Sequence, residues 1–361
     1  MRNRTRRGCG KGCGFTLIEL LVVIAIIALL VSILLPALAG ARREAWAAKT
    51  GVCLRNIGQA FTSYTIDAKV YPPSYVYADG FNSESWRLAD QQGTDPQYGY
   101  IHWSWFLFQS GNVPQDAFAS PAVRNGGAPA TNPGSNQADW EPNQVGQGGS
   151  YASPSDTPTD RQVKRMAYAG NAAIFGRNKF NSGLSRNNQM VNPALVDNST
   201  MGSSRVIVAT ELGAARGDWG TVIDFMGVAG DAGRSKSHRP ITPFTSDSPT
   251  ELLSTASVAG GLAPFFYPSM ASLRGPDSIT DFASGLGDAQ NGLNAVARHH
   301  GGTKGKYGGT SNFVFADGHV DRMNVAETVK KKLWGDRMYS VTGNNKVNMQ
   351  ADIGGAPIGQ D

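Results

Sequence analysis

Residues able to do chemistry lie at the two ends of this 361-residue chain. Near the start, Gly14-Phe15-Thr16-Leu17-Ile18-Glu19 joins a basic leader to a long apolar run. A secretory signal peptide carries its cleavage site after the apolar segment. Here the candidate glycine comes before it, so cutting between Gly14 and Phe15 leaves the apolar segment on the mature chain and creates a cationic amine at Phe15. Glu19 is the one carboxylate set into this region. A charge near the centre of a membrane helix costs roughly 2.5–3.5 kcal/mol, and such groups usually have a partner. A free Phe15 ammonium would supply a charge of the opposite sign. Near the other end stand His299, His300, Asp317, His319 and Asp321, the residue types of a metal site.

The elements that position these groups are legible around them. Residues 1–14 hold Arg2, Arg4, Arg6, Arg7 and Lys11 and no acid. Leu20 to Ala41 is uncharged, and apolar runs of about 18 residues or more read as membrane-spanning helices. The leader charges predict an N-terminus held in the cytoplasm and a C-terminal bulk sent across the membrane. Pro36 removes a backbone donor, which predicts a gentle bend. Beyond it, Trp46, Cys53, Ile57, Phe61 and Tyr64 recur at helical spacing on one face, with Arg42, Arg43, Lys49, Arg55 and Gln59 largely elsewhere. One helix of about fifty residues is expected, apolar all round at first and one-sided later, ending at Val70-Tyr71-Pro72-Pro73.

The N-terminal pattern resembles the prepilin signal of type IV pilins and type II secretion pseudopilins. Gly14, Phe15, Glu19 and Pro36 carry the match, with the basic leader and the long uncharged helix. The resemblance implies cleavage after Gly14 by a membrane peptidase, which then methylates the Phe15 amine. It further implies a single-pass inner-membrane protein with an extracytoplasmic head, and assembly with other pilin-like subunits by an ATPase and a platform protein. Residues 53–73 also look like the second half of this helix in pseudopilin-like proteins. His300 followed after a gap by Phe315-Ala316-Asp317-Gly318-His319 resembles the C-terminal His-to-Asp-Gly signature of large pilin-like proteins, although the glycine-rich gap is longer here.

Charge and cysteine use narrow the partners. Five of the 33 Lys and Arg lie in the leader, against 28 Asp and Glu in the chain. Without the leader the charges balance, which argues against nucleic-acid binding. Cys9 and Cys13 fall in the leader, and no second pair lies near enough to complete a zinc site. Cys53 alone cannot form an internal disulfide and reads as a small buried side chain.

From about 74 to 290 the sequence is rich in Gly, Asn, Ser and Pro. Short apolar islands at 100–108, 166–175 and 205–210 are predicted as strands or a short helix. The aromatic residues between Trp86 and Phe108 either pack the core or offer a glycan- or partner-binding surface. Asp224, Asp231, Asp277, Asp281 and the pair Thr210-Glu211 carry no signal of their own. Near the end, Asp317-Gly318 predicts a two-residue hairpin turn, with Phe313, Phe315 and Val320 on the core face and His319 and Asp321 opposite. On this reading Asp317 serves the turn and His319 is an exposed strand residue, with a structural calcium ion as the alternative. Asn324 with Glu327 predicts a capped helix through Lys330-Lys331-Lys332 to Trp334.

The expected fold is α+β: a long N-terminal helix, transmembrane in its first half, packed on an antiparallel β-sheet head with long loops. The expected divisions are 1–14 (leader), 15–38 (span and polymerisation helix), 39–67 (amphipathic continuation), 68–340 (head) and 341–361 (tail). Two function classes fit: a non-enzymatic filament subunit, and a membrane-tethered binding or enzymatic domain that uses a prepilin-type export signal without polymerising.

Overall fold

A computed structural model describes residues 16–76, 101–142, 144–146, 159–176, 188–213, 223–224, 234–235, 237–246, 265–275 and 292–360. The first element is helix α1, Leu17–Ala68, 52 residues long and continuous through Pro36. Its start is a capping box: Glu19 N donates to Thr16 Oγ1 (3.2 Å), and Thr16 N donates to Glu19 Oε2 (2.9 Å). These bonds satisfy two of the orphan donors at a helix N-terminus. Its end is set by Lys69 in the left-handed conformation (φ 62°), whose N–H donates to Thr65 O, ahead of Pro72 and Pro73.

The two halves of α1 have different surroundings. No residue from Leu17 to Glu44 is buried. From there on, Ala47, Thr50, Leu54, Ile57, Gly58, Ala60 and Phe61 are buried. The predicted face is therefore right in direction, but it centres on Leu54 and Ile57. Trp46 and Cys53 sit at its margin, half-buried. Phe61 packs between Trp103 and Phe175, at ring-centre distances of 5.5 and 5.2 Å.

The head is built on an antiparallel sheet. Its long strand Gly308–Phe315 pairs with His300–Gly305 through its first half, and with Ile207–Glu211 and Val320–Met323 through its second. Tyr168–Gly170 adds to the far edge of Ile207–Glu211. Both faces of the long strand are covered. On one side Asn312 and Val314 meet α1, where a side chain at Gly58 would strike Val314 Cγ2. On the other, Phe313 lies edge-on to Trp334. Its second half, Ser311 to Phe315, is buried on both faces. Besides this sheet there are three two-stranded pairings and one three-stranded sheet among the described residues; in the latter Phe265–Phe266 pairs antiparallel with Thr245–Ser246 and parallel with Val347–Asn348. The aromatic island splits into a short strand, Ile101–His102, and a helix, Trp103–Phe108.

The C-terminal hairpin corrects the predicted register by one residue. Phe313 pairs with Asp321 and Val314 with Val320, so Ala316, Asp317 and Gly318 form a three-residue connection. Gly318 N donates to Phe315 O (2.9 Å), and Gly318 alone of the three takes positive φ (87°). This is the type I turn closed by a left-handed glycine, the second common hairpin solution. The shift moves Val320 to the Val314 side and brings His319 and Asp321 round to the side of Phe315 and Phe313. The helix after the hairpin has its predicted capping box at Asn324 and Glu327. It stops at Lys330, short of the expected Trp334.

Candidate functional site

The N-terminal site begins with two residues, Gly14 and Phe15, that lie outside the described ones. Glu19 is exposed, four residues from Phe15, and engaged with its own Thr16. Pro36 is also exposed, within the uncovered half of α1. The helix is long and apolar enough to cross a membrane, and none of its most apolar 18-residue window is buried in the protein.

The hairpin residues do converge, on each other. Asp317 Oδ1 accepts from the backbone N–H of His319 (3.1 Å) and contacts His319 Nδ1 (2.6 Å). The His319 ring stacks on Phe315 with centres 4.1 Å apart and planes 7° apart. Asp321 Oδ1 instead accepts from the N–H of Arg322. Asp317 and His319 are exposed, so their pairing contributes little stability; such surface pairs typically yield about 0–1 kcal/mol.

The second predicted group, His299 and His300, meets a residue that sequence reasoning passed over. Glu211 ends the buried Ile207–Glu211 strand, and its carboxylate is fully buried. His299 Nε2 lies 2.7 Å and His300 Nε2 2.8 Å from Glu211 Oε2. The opposite oxygen, Oε1, accepts from Asn312 Nδ2 (2.6 Å) and from Asn312 N (3.1 Å). Asn312 Nδ2 also donates to Thr50 Oγ1 (2.9 Å) and Ala47 O (3.0 Å) on α1, and His300 Nε2 is 3.1 Å from Thr50 Oγ1. One buried polar network thus joins three strand positions of the head to the second half of the long helix.

Burial alone would raise the Glu211 pKa. The hydrogen bonds and charges of His299 and His300 outweigh it and hold the carboxyl down at about 2. Glu211 is therefore an anion inside the protein, matched by donors on both oxygens. Nearby, burial raises the pKa of the half-buried Cys53 thiol, which disfavours the reactive thiolate. Cys9, Cys13, Trp86, Asp231, Asp277 and Asp281 lie outside the described residues.

Among the described residues, Glu211, His299 and His300 form the one group of three whose possible ligand atoms all lie within 4.8 Å of one another. The signal that could have found Glu211 is an acid closing an uninterrupted apolar strand, Val206 to Ala209. Its two partners stand 88 and 89 residues away, so no local spacing marks it.

Of the aromatic residues between Trp86 and Phe108, Trp103 is core. Trp105 lines an open cleft of about 440 Å³, together with Asp116, Asp139, Asp160, Gln162 and Lys164.

Residues 11–35 match the family model of the prokaryotic N-terminal methylation motif. No curated protein and no solved structure matches the chain. The matched segment spans the Gly14–Phe15 junction, Glu19 and most of the exposed apolar half of α1. The chain therefore carries a prepilin-type export signal and an apolar anchor helix, the marks of a membrane-anchored protein processed by a prepilin peptidase.

Proposed function

We propose that this protein is a pilin-like structural subunit of a type IV pilus or a type II secretion pseudopilus. The observation that carries the reading is the uncovered first half of α1, which is continuous with the matched methylation motif. Twenty-odd apolar residues with no partner among the described residues need either lipid or other copies of the same helix. In the proposed cycle the peptidase cuts between Gly14 and Phe15 and methylates Phe15. The span stays in the inner membrane with the head outside the cytoplasm. An assembly ATPase and a platform protein then draw subunits into a helical filament whose core is made of residues 15–38.

Glu19 sets the stagger on this reading. Leaving the Thr16 box, it takes the Phe15 ammonium of the next subunit, which removes two charges from an apolar filament core. The role is mechanical and needs no catalytic group. The His300-to-Asp317-Gly318 resemblance to large pilin-like proteins supports the same assignment.

A second reading, a membrane-tethered binding domain that does not polymerise, draws support from the Trp105 cleft. An aromatic platform beside carboxylates and an amide suits a glycan or a polar peptide.

Two measurements separate the readings. Mass spectrometry of the mature chain should find Phe15 at the N-terminus with one added methyl group; retention of residues 1–14 would defeat the filament reading. Glu19→Leu should remain in the membrane but lose pelletable filaments and subunit cross-links. Unchanged assembly state in that variant would favour the tether.

A further inference from the structure

Successive residues of an extended chain point to opposite sides. His299 and His300 do not: both rings reach one carboxylate oxygen, lying edge-to-face with centres 4.3 Å apart and planes at 85°. His300 opens the strand His300–Gly305, paired with Thr310, and His299 immediately precedes it. Gly309 lets the neighbouring strand come close here, since a side chain there would meet His300 O at 2.1 Å. The fold thus brings two imidazole nitrogens and one carboxylate oxygen together from segments 88 residues apart.

We propose that Glu211, His299 and His300 form a binding site for a divalent transition-metal ion, with zinc the best fit. Two imidazoles and a carboxylate are the protein ligands of a three-ligand zinc site that leaves one position to water. The nitrogen-rich set does not suit calcium, which takes oxygen ligands. Outer support is present on the carboxylate: Asn312 donates twice to Glu211 Oε1, which also lies 3.0 Å from His300 Nε2, while Oε2 faces both rings. The Nδ1 atoms of His299 and His300 are buried with no hydrogen-bond partner among the described residues.

Zinc ligand bonds of about 2.0–2.1 Å put tetrahedral donors roughly 3.3 Å apart, so the present 2.7–2.8 Å spacings must open by about half an ångström. His299 has room to give, because its side chain is 20% exposed while those of His300 and Glu211 are 1% and 0%. The same opening is the path for the ion. Through Asn312 and Thr50, the bound metal would stiffen the joint between α1 and the head.

The test uses the full chain in detergent, with Cys9→Ser and Cys13→Ser to remove the leader thiols as rival ligands. After dialysis against a chelator, zinc is titrated calorimetrically and metal content is read by mass spectrometry. About one zinc per chain is expected, with a higher unfolding temperature when zinc is bound. Cobalt should give the visible absorption of a four-coordinate site. His299→Ala should weaken zinc binding by at least about a hundredfold, beyond the 10–100-fold typical of losing an outer-shell partner. His319→Ala, an exposed histidine elsewhere, should leave it unchanged. His299 is partly exposed, so its variant is expected to fold, and circular dichroism checks this. A folded wild-type chain that takes up no zinc would overturn the proposal, as would binding that survives in His299→Ala. Either result would leave the cluster as a hydrogen-bonded joint only.

Discussion

The two halves of α1 share a backbone and differ in everything around it. The first half is the more apolar, yet Leu17, Ile27 and Leu38 are 79%, 53% and 65% exposed. The second half is studded with Lys49, Arg55 and Gln59, yet Leu54 and Ile57 are fully covered. Hydrophobicity therefore does not decide burial here; the availability of a partner surface does. The second half finds that surface in its own chain, on Asn312, Val314, Trp103 and Phe175. The first half finds none among the described residues, and an exposed apolar face of this size marks a site of association with membrane or protein.

The sharpest way to break this comparison is to truncate one large side chain in each half. Phe61→Ala removes a buried ring that touches Trp103 and Phe175. It should cost the head about 3–5 kcal/mol, the usual range for a buried phenylalanine. Thermal or denaturant unfolding in detergent would read this as a large fall in stability. Ile27→Ala should leave the same curve unmoved. Equal losses would mean that the first half packs on the head after all.

A charge sharpens the contrast from the other side. Ile27→Asp should raise the cost of membrane insertion by about 2.5–3.5 kcal/mol, as for an acid near the middle of a span. Carbonate-washed membranes should then retain less of the chain. Unfolding of the head should stay within about 0.5 kcal/mol of wild type, as for a surface site. Full retention in the membrane would show that lipid is not the partner of this half.

How much of this was legible follows the range of the interactions. The extent of α1 could be read closely, because its apolar run and its Pro72-Pro73 stop are local; its Thr16–Glu19 box, equally local, emerged only from the structure. The Asn324–Glu327 box is local too, and it appears as expected. The hairpin was legible as a hairpin but not in register. Asp317-Gly318 fits a two-residue turn and a three-residue turn alike, and only the pairing of Phe313 with Asp321 decides between them. Glu211 was invisible because its meaning lies in His299, His300 and Asn312, which are distant in sequence. The two-residue strands of the head were illegible for the same reason. Tyr75–Val76 and Arg165–Met166 are too short to show a period, and each is defined only by the segment it pairs with.

The finest cut falls inside the first half of α1 and concerns what Glu19 does there. In the single chain it closes a capping box with Thr16, at 2.9 Å to the Thr16 N–H and 2.8 Å to Thr16 Oγ1. In the proposed filament it serves a neighbouring subunit. Thr16→Ala separates these duties, because it removes the hydroxyl that caps the helix and leaves the carboxylate. The loss of one cap should cost about 1 kcal/mol, felt in the first turn. Amide exchange at residues 17–20 in detergent micelles should quicken by about fivefold, the factor that energy implies. Filament yield should hold, since Glu19 is released from a competing partner and the Phe15 amine is untouched. Mass spectrometry of the N-terminus confirms that processing is normal in the variant. If Thr16→Ala instead loses assembly as completely as Glu19→Leu, the carboxylate acts through its own helix cap. The intersubunit pairing at Phe15 would then have no work left to do.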